Sequence, residues 1–147
     1  MTVLNNKQGQ IMRQYFAELL GVAILMGISG SVNADPMSEC WVGNGKQEAE
    51  LCLGAVEDKA NAALDDILRR AMDAANKFDD QTAPRRDVVP ALNAAQEAWT
   101  KYRDKHCEYV EANWGGGSGT GMAISNCRIE LARKRFDELT EFIQTAQ

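Results

Sequence analysis

Four cysteines and one histidine are the side chains of this sequence with the most distinctive chemistry. An even number of cysteines is typical of a disulfide framework when a chain is exported to an oxidising compartment. A metal site fits less well, because no two cysteines form a C-x-x-C pair and His106 is the sole imidazole. We therefore predict two disulfides, no bound metal and no cofactor. The cysteines are Cys40, Cys52, Cys107 and Cys127.

The N-terminal segment, residues 1–34, has the three parts of a secretory signal peptide. Arg13 precedes an apolar run, Leu19 to Ile28, that is too short to cross a bilayer, and a small-residue stretch follows up to Ala34. We expect cleavage after Ala34 and a single mature domain, 35–147, with Met12 as an alternative start of translation. No cysteine directly precedes the cleavage point, which favours a free periplasmic or secreted protein over a lipoprotein.

The negative charge of the expected mature chain is concentrated in its first half. Residues 35–83 contain eleven Asp or Glu and five Lys or Arg, whereas residues 84–147 contain nine of each. This distribution argues against nucleic acid or an anionic membrane as a partner and is compatible with a basic protein. A solvated acidic helix face that only aids solubility is the alternative interpretation.

Apolar residues recur at three- and four-residue steps along three segments, which is the pattern of helices with one buried face. The first helix is predicted from about residue 46 to 78, the second from about 88 to 113, and the third from about 122, with Ser118 or Thr120 as its N-cap. No segment alternates like a strand, so we predict an all-α fold, a small bundle of three long helices after an irregular segment. The predicted buried positions of the second helix are Val88, Leu92, Ala95, Trp99, Tyr102, His106 and Tyr109.

Four cysteines allow three pairings, and the predicted helices favour one of them. Cys52 lies on the buried face of the first helix, so a bond to Cys40 would tie down the irregular segment. Cys107 lies near the end of the second helix and Cys127 near the start of the third, so a bond between them would clamp these helices together. Closing each short loop stabilises the fold by about 3 kcal/mol, a large share of the stability of a small domain.

The residues that catalysis would need are sparse. Cys107 is adjacent to His106, but the two side chains point about 100° apart on a helix, and an oxidised cysteine is not a nucleophile. The run Gly116–Gly121 has the glycine spacing of a P-loop, but Met122 stands where lysine is required. We therefore expect no catalytic residues and no enzymatic activity.

The glycine-rich connection after the second helix is the candidate for binding a partner. Trp114 is followed by a run of glycine, serine and threonine that cannot remain helical. A tryptophan exposed beside a flexible loop is a common anchor in protein interfaces, so Trp114, Gly117 and Ser118 are the predicted contact residues. A tryptophan folded back over the helix ends is the alternative.

The run from Leu92 to Cys107 resembles the core motif of the LprI-type lysozyme-inhibitor domain, which has glutamine, tryptophan, an aromatic residue, Arg-Asp and cysteine in this order. The other three cysteines resemble the rest of that family's cysteine frame. The sequence departs from the family pattern at Asp65-Asp66, where asparagine is usual, and at Ala132, where threonine is usual. The motif residues, which the resemblance identifies as mainly structural, are Gln96, Trp99, Tyr102, Arg103, Asp104 and Arg135.

The resemblance implies a non-enzymatic periplasmic protein that binds and inhibits a lysozyme or another peptidoglycan hydrolase. The acidic first helix is compatible with this role, because lysozymes are often strongly basic and opposite charge steers association. The alternative is a periplasmic immunity-type or stress protein with a different protein partner. In neither case do we expect stable membrane insertion after the signal peptide is removed.

Overall fold

A computed structural model describes residues 35–41, 43, 45–81, 84 and 87–146. The predicted signal peptide, residues 1–34, lies outside the described residues. Four helices make up most of the described chain, and these residues contain no strand, which confirms the all-α prediction. None of the four helices is both long enough and apolar enough to cross a membrane. The helices are α1 (Pro36–Trp41), α2 (Lys46–Gln81), α3 (Val88–Trp114) and α4 (Thr120–Thr145).

The segment predicted to be irregular contains the short helix α1. Asp35 caps its N-terminus, because the Asp35 carboxylate accepts hydrogen bonds from the N–H groups of Met37 and Ser38, each at 3.3 Å, and from the Ser38 hydroxyl at 2.9 Å. Burial raises the pKa of Asp35, but hydrogen bonds from Ser38 and Met37 outweigh it and hold that pKa below its usual value. A helix of six residues is too short to show a periodic pattern, so the sequence did not predict it.

The core lies mainly between α2 and α4, where buried apolar side chains form two clusters. The cluster nearer α1 includes Leu53 and Ile129, which are 1% and 0% exposed. The second cluster includes Ile67 and Leu139, each 2% exposed. The apolar stripe predicted for the first helix therefore faces α4, as the three- and four-residue spacing requires.

Helix α3 contributes much less to the core than α2 or α4. Cys107 is its one buried residue, while Leu92 and Trp99 pack against the second cluster and stay partly exposed. Three residues predicted to be buried are exposed, and two of them are tyrosines: Tyr102 is 52% exposed and Tyr109 is 64% exposed. The prediction of a buried tyrosine face on this helix was therefore wrong.

The face of α3 that meets α4 includes polar as well as apolar residues. Gln96 contacts Arg135 of α4 through a side-chain hydrogen bond, and Cys107 is bonded covalently to α4. Ala95, predicted to be buried, is exposed instead. An apolar pattern cannot reveal this orientation, because it does not count a polar side chain that binds across the interface as part of the buried face.

Both predicted disulfides are present, and they account for all four cysteines. Cys40–Cys52 joins α1 to α2 with Cα atoms 5.6 Å apart. Cys107–Cys127 joins α3 to α4 with Cα atoms 5.8 Å apart. Because α3 buries so few side chains, the second disulfide is a principal restraint on the C-terminal half of that helix.

A buried carboxylate organises the connection between α2 and α3. Asp79 is 2% exposed, and its two oxygens accept hydrogen bonds from the N–H groups of Val88 at 2.9 Å and Val89 at 3.2 Å. The first N–H groups of a helix have no partner within the helix, and the residue at the N-cap position, Asp87, makes no side-chain cap. Asp79 therefore supplies the cap of α3 from the preceding helix.

Candidate partner-binding surface

Residues 115–119 join α3 to α4 as a short turn with its own hydrogen bonds. Gly115 and Gly116 have φ angles of 66° and 76°, a conformation that glycine adopts without steric cost. The Gly117 carbonyl accepts a hydrogen bond from the Thr120 N–H at 3.0 Å and another from the Thr120 hydroxyl at 2.7 Å. The turn is thus more constrained than its glycine content suggests.

The start of α4 differs from the prediction. The helix begins at Thr120, and its N-cap residue is Gly119, which has no side chain to make a cap. The predicted caps, Ser118 and Thr120, do not fill this role. Ser118 is instead exposed on the turn, where its hydroxyl is accessible from solvent.

Trp114 ends α3 and lies against the turn that follows it. The indole is 53% exposed, while its six-membered ring passes so close to Gly119 that a methyl group there would be 3.1 Å from Cζ3. One part of the ring therefore rests on the turn and another part faces solvent. Trp114 is therefore partly exposed, as an interface anchor would be, and partly folded back against the end of the helix.

An open groove of about 600 Å³ lies between the C-terminal half of α3 and the N-terminal half of α4. One wall carries Tyr102, His106 and Trp114, which are spaced four or eight residues apart and so share one side of α3. The rings of Tyr102 and His106 are stacked, with centroids 5.3 Å apart. The predicted contact residue Trp114 is therefore part of a larger aromatic surface that the sequence analysis did not identify.

The opposite wall of the groove comes from α4 and is mixed: Asn126, Glu130 and Lys134 recur at steps of four residues, and Ala123, Cys127 and Leu131 lie between them. The Asn126 side chain accepts a hydrogen bond from the Met37 N–H at 2.8 Å and donates one to Glu130 at 3.2 Å. Asp35 and Met37 close the groove at the α1 side. The groove is thus built from three helices, one of which was not predicted.

A bidentate ion pair holds α1 in this position. Glu39 accepts two hydrogen bonds from the guanidinium of Arg133 on α4, at 2.9 and 3.1 Å. The hydrogen bond from Arg133, together with its charge, outweighs burial and holds the pKa of Glu39 below its usual value. Because the pair joins α1 to α4, it supports the wall of the groove as well as the fold.

Two motif residues, Gln96 of α3 and Arg135 of α4, bond to each other across the interface between these helices. Arg135 donates a hydrogen bond to the Gln96 side chain at 3.1 Å and pairs with Glu138 at 2.9 Å. Its remaining nitrogen, Nη2, is buried without a hydrogen-bond partner among the described residues. Gln96 and Arg135 thus join α3 to α4, as expected for residues that define a fold.

The other motif residues divide into two groups. Arg103 binds Asp104 at 3.1 Å and lies over the Trp99 ring at 5.2 Å from its centroid, so these three stabilise one stretch of α3. Tyr102 is different, because it is half exposed and lines the groove. The Tyr102 side chain is therefore the motif side chain that faces the groove.

The single histidine of the groove, His106, contacts aromatic rings. Both ring contacts of His106 are with tyrosines, Tyr102 and Tyr109. Within the described part of the chain, no three potential metal-ligating side chains come together. The arrangement is suited to binding, since it presents apolar ring faces beside polar groups that are held in place by hydrogen bonds.

A separate feature of the surface is the acidic character of α2. Seven Asp or Glu residues of this helix have exposed side chains. One further acid, Glu57, faces Arg128 of α4 at 3.5 Å. The exposed acidic residues are Glu48, Glu50, Asp58, Asp65, Asp66, Asp73 and Asp80.

Two comparisons with known proteins give a match. The sequence model described as lysozyme inhibitor LprI matches residues 40–139, a range that includes both disulfides, the turn and most of the groove. An uncharacterized protein of Rhizobium meliloti (strain 1021) is 32% identical over 131 residues, covering 86% of this chain and 94% of that protein. No solved structure matches.

Proposed function

We propose, from the premise that this chain belongs to the lysozyme inhibitor LprI family, that it is an exported protein that binds and inhibits a lysozyme or another peptidoglycan hydrolase. The observation that carries the proposal is the family match over residues 40–139. The two disulfides and the signal-like residues 1–34 support a site of action outside the cytoplasm. The protein acts by binding and performs no chemistry of its own.

The turn after α3 is the proposed contact with the hydrolase. Trp114 offers about half of a large indole to solvent, and tryptophan is enriched among the residues that dominate binding energy. Gly117 and Ser118 are exposed beside it. A narrow turn without bulky side chains can enter an active-site cleft, and the Cys107–Cys127 disulfide restrains the helices on both sides of it.

The acidic surface of α2 is proposed to attract a basic hydrolase. Its seven exposed carboxylates lie along one helix of 36 residues that also exposes five Lys or Arg side chains, which leaves an excess of two negative charges among them. Such a surface accelerates the encounter with a positively charged partner and affects the association rate more than the final affinity. The association rate should therefore fall as salt screens these charges.

The test is the binding of the mature protein to a basic lysozyme, measured by isothermal titration calorimetry for the wild type, Trp114→Ala and Trp41→Ala. Trp41 is the matched control, because it is 48% exposed and lies on α1 rather than on the turn. We expect Trp114→Ala to weaken binding by about tenfold or more and Trp41→Ala to leave it unchanged.

Two results would contradict the proposal. If none of the lysozymes tested binds, the proposed inhibition of lysozyme is wrong, and an immunity-type role with another protein is favoured. Equal loss of affinity in the two tryptophan variants would show that the turn is not the contact.

A further inference from the structure

The groove between α3 and α4 has a chemical character that inhibition of a hydrolase does not require. We propose that it binds a linear oligosaccharide of the cell-wall type, with aminosugar rings lying along the aromatic wall. This binding is additional to the proposed inhibition and uses a different surface for most of its contacts, Trp114 being the residue they share.

The dimensions of the groove suit an extended ligand. Its aromatic wall runs from Tyr102 to Trp114, about 18 Å along the helix at 1.5 Å per residue, and its volume is about 600 Å³. This volume falls within the range of sites for small molecules. The groove is open to solvent, so an extended ligand can enter it from the side.

The two walls match the two sides of a sugar ring. A pyranose presents a flat face of C–H groups and an edge of hydroxyl groups, so it needs an aromatic plane and a set of hydrogen-bonding groups at the same time. Tyr102 and His106 supply stacked rings, and Trp114 supplies a third. Across the groove, the amide, carboxylate and ammonium groups of Asn126, Glu130 and Lys134 include both donors and acceptors.

The polar wall is ordered before a ligand arrives. Asn126 bonds to both the Met37 N–H and Glu130, so its amide has a fixed orientation. Groups that are already held in place lose little conformational freedom when a ligand binds, which improves affinity. Glu130 receives one hydrogen bond from Asn126, and a carboxylate has further lone pairs to accept sugar hydroxyls.

Other ligand classes fit this groove less well. A partner helix would lay an apolar face into the groove, whereas the α4 wall places a carboxylate and an ammonium group among its apolar residues. An extended peptide is usually held by the edge of a sheet, and the groove is formed by helices. The acids Asp35 and Glu130 lie near Lys134, and this mixture of charges does not favour a polyanion or a polycation.

The proposal is tested with the β-1,4-linked tetramer of N-acetylglucosamine, titrated into the mature protein and followed by calorimetry without any hydrolase present. The outcome is therefore independent of whether the protein inhibits lysozyme. We expect saturable binding with a dissociation constant of about 1 mM or lower. Tyr102→Ala should weaken it about fivefold or more through loss of ring contact, and Glu130→Gln about threefold through loss of a charged acceptor.

Trp41→Ala is the control, since Trp41 is an exposed aromatic residue on α1 that does not line the groove. Its affinity should equal that of the wild type, and circular dichroism should show that all variants are folded. An absence of binding by the folded wild type at about 5 mM sugar, well above the expected constant, would overturn the proposal. An equal loss in Trp41→Ala and Tyr102→Ala would overturn the assignment to the groove.

Discussion

Removal of the Cys107–Cys127 disulfide should destabilise the protein strongly and in one region. The bond closes a loop of 20 residues, for which loop-closure entropy in the unfolded chain corresponds to about 3.3 kcal/mol. A small domain has about 5–15 kcal/mol of stability in total. The double variant Cys107→Ala/Cys127→Ala should therefore remain folded with a markedly lower free energy of unfolding.

The loss should be concentrated in the second half of α3. The first half is held to the bundle by Leu92 and Trp99 and by the hydrogen bond between Gln96 and Arg135. Beyond these residues, Cys107 is the one side chain of the helix that is buried. Without the disulfide, amide hydrogens after about residue 103 should exchange faster, because local opening then costs less free energy.

The assay combines urea unfolding, followed by circular dichroism, with hydrogen exchange measured by mass spectrometry. The matched variant Cys40→Ala/Cys52→Ala opens a loop with a separation of 12 residues, which corresponds to about 2.8 kcal/mol, and its faster exchange should appear in α1. A loss below about 1 kcal/mol for the 107–127 variant, far less than loop closure implies, would refute stabilisation of the fold by this disulfide. Faster exchange spread evenly over all helices would refute it as well.

Three further perturbations have defined outcomes. Asp79→Ala should lower the free energy of unfolding in urea by about 2 kcal/mol, because the N–H groups at the start of α3 lose their buried cap. Glu39 has a pKa held below its usual value in the folded state, so its charged form contributes stability that is lost as pH falls through that lowered pKa. The melting temperature of Glu39→Gln should therefore fall less than that of the wild type between pH 6 and pH 3. Gly119→Ala should displace the Trp114 ring and shift its fluorescence emission to longer wavelength.

Each of these three predictions has a control variant or a result that would contradict it. Asp80→Ala removes an exposed neighbour of Asp79, and an equal loss in both variants would contradict the capping role. Identical acid sensitivity in the wild type and Glu39→Gln would show that the pair with Arg133 has no linked stability. Gly117→Ala places a methyl group 3.8 Å from the Trp114 carbonyl, an ordinary contact, so a matching fluorescence shift there would contradict the ring displacement.

The sequence was sufficient to predict the three long helices and the disulfide pairing. Ile67, Ala71 and Leu139 lie on stripes with the helical period, and such stripes predict a buried face whatever the partner helix is. Cysteines that lie near facing helix ends then have few partners within reach. These features depend on local spacing, which a single sequence contains in full.

The orientation of α3 could not be predicted in this way. Tyr102 and Tyr109 have the same spacing as buried residues, but they are exposed, while the polar Gln96 faces α4. A pattern of apolar residues cannot distinguish an aromatic row that binds a ligand from one that packs in a core. For the same reason, the sequence predicted Trp114 as an anchor but not the groove beside it.

Contacts between distant segments could not be predicted from the sequence either. Asp79 caps a helix that begins nine residues later, and Asn126 binds a backbone group 89 residues away. Both depend on the way the helices pack, and neither has a local signature. The contact that holds α1 at the groove, between Met37 and Asn126, therefore depends on tertiary packing.

The central claim is that the mature, disulfide-bonded protein inhibits a peptidoglycan hydrolase. The most direct measurement is the rate at which a basic lysozyme clears a suspension of bacterial cell walls, with increasing amounts of the protein added. The clearing rate should fall as wild-type protein is added, should fall much less with Trp114→Ala, and should fall equally with Trp41→Ala and the wild type. A clearing rate that stays constant at a several-fold molar excess of folded protein, over a panel of lysozymes, would contradict this claim.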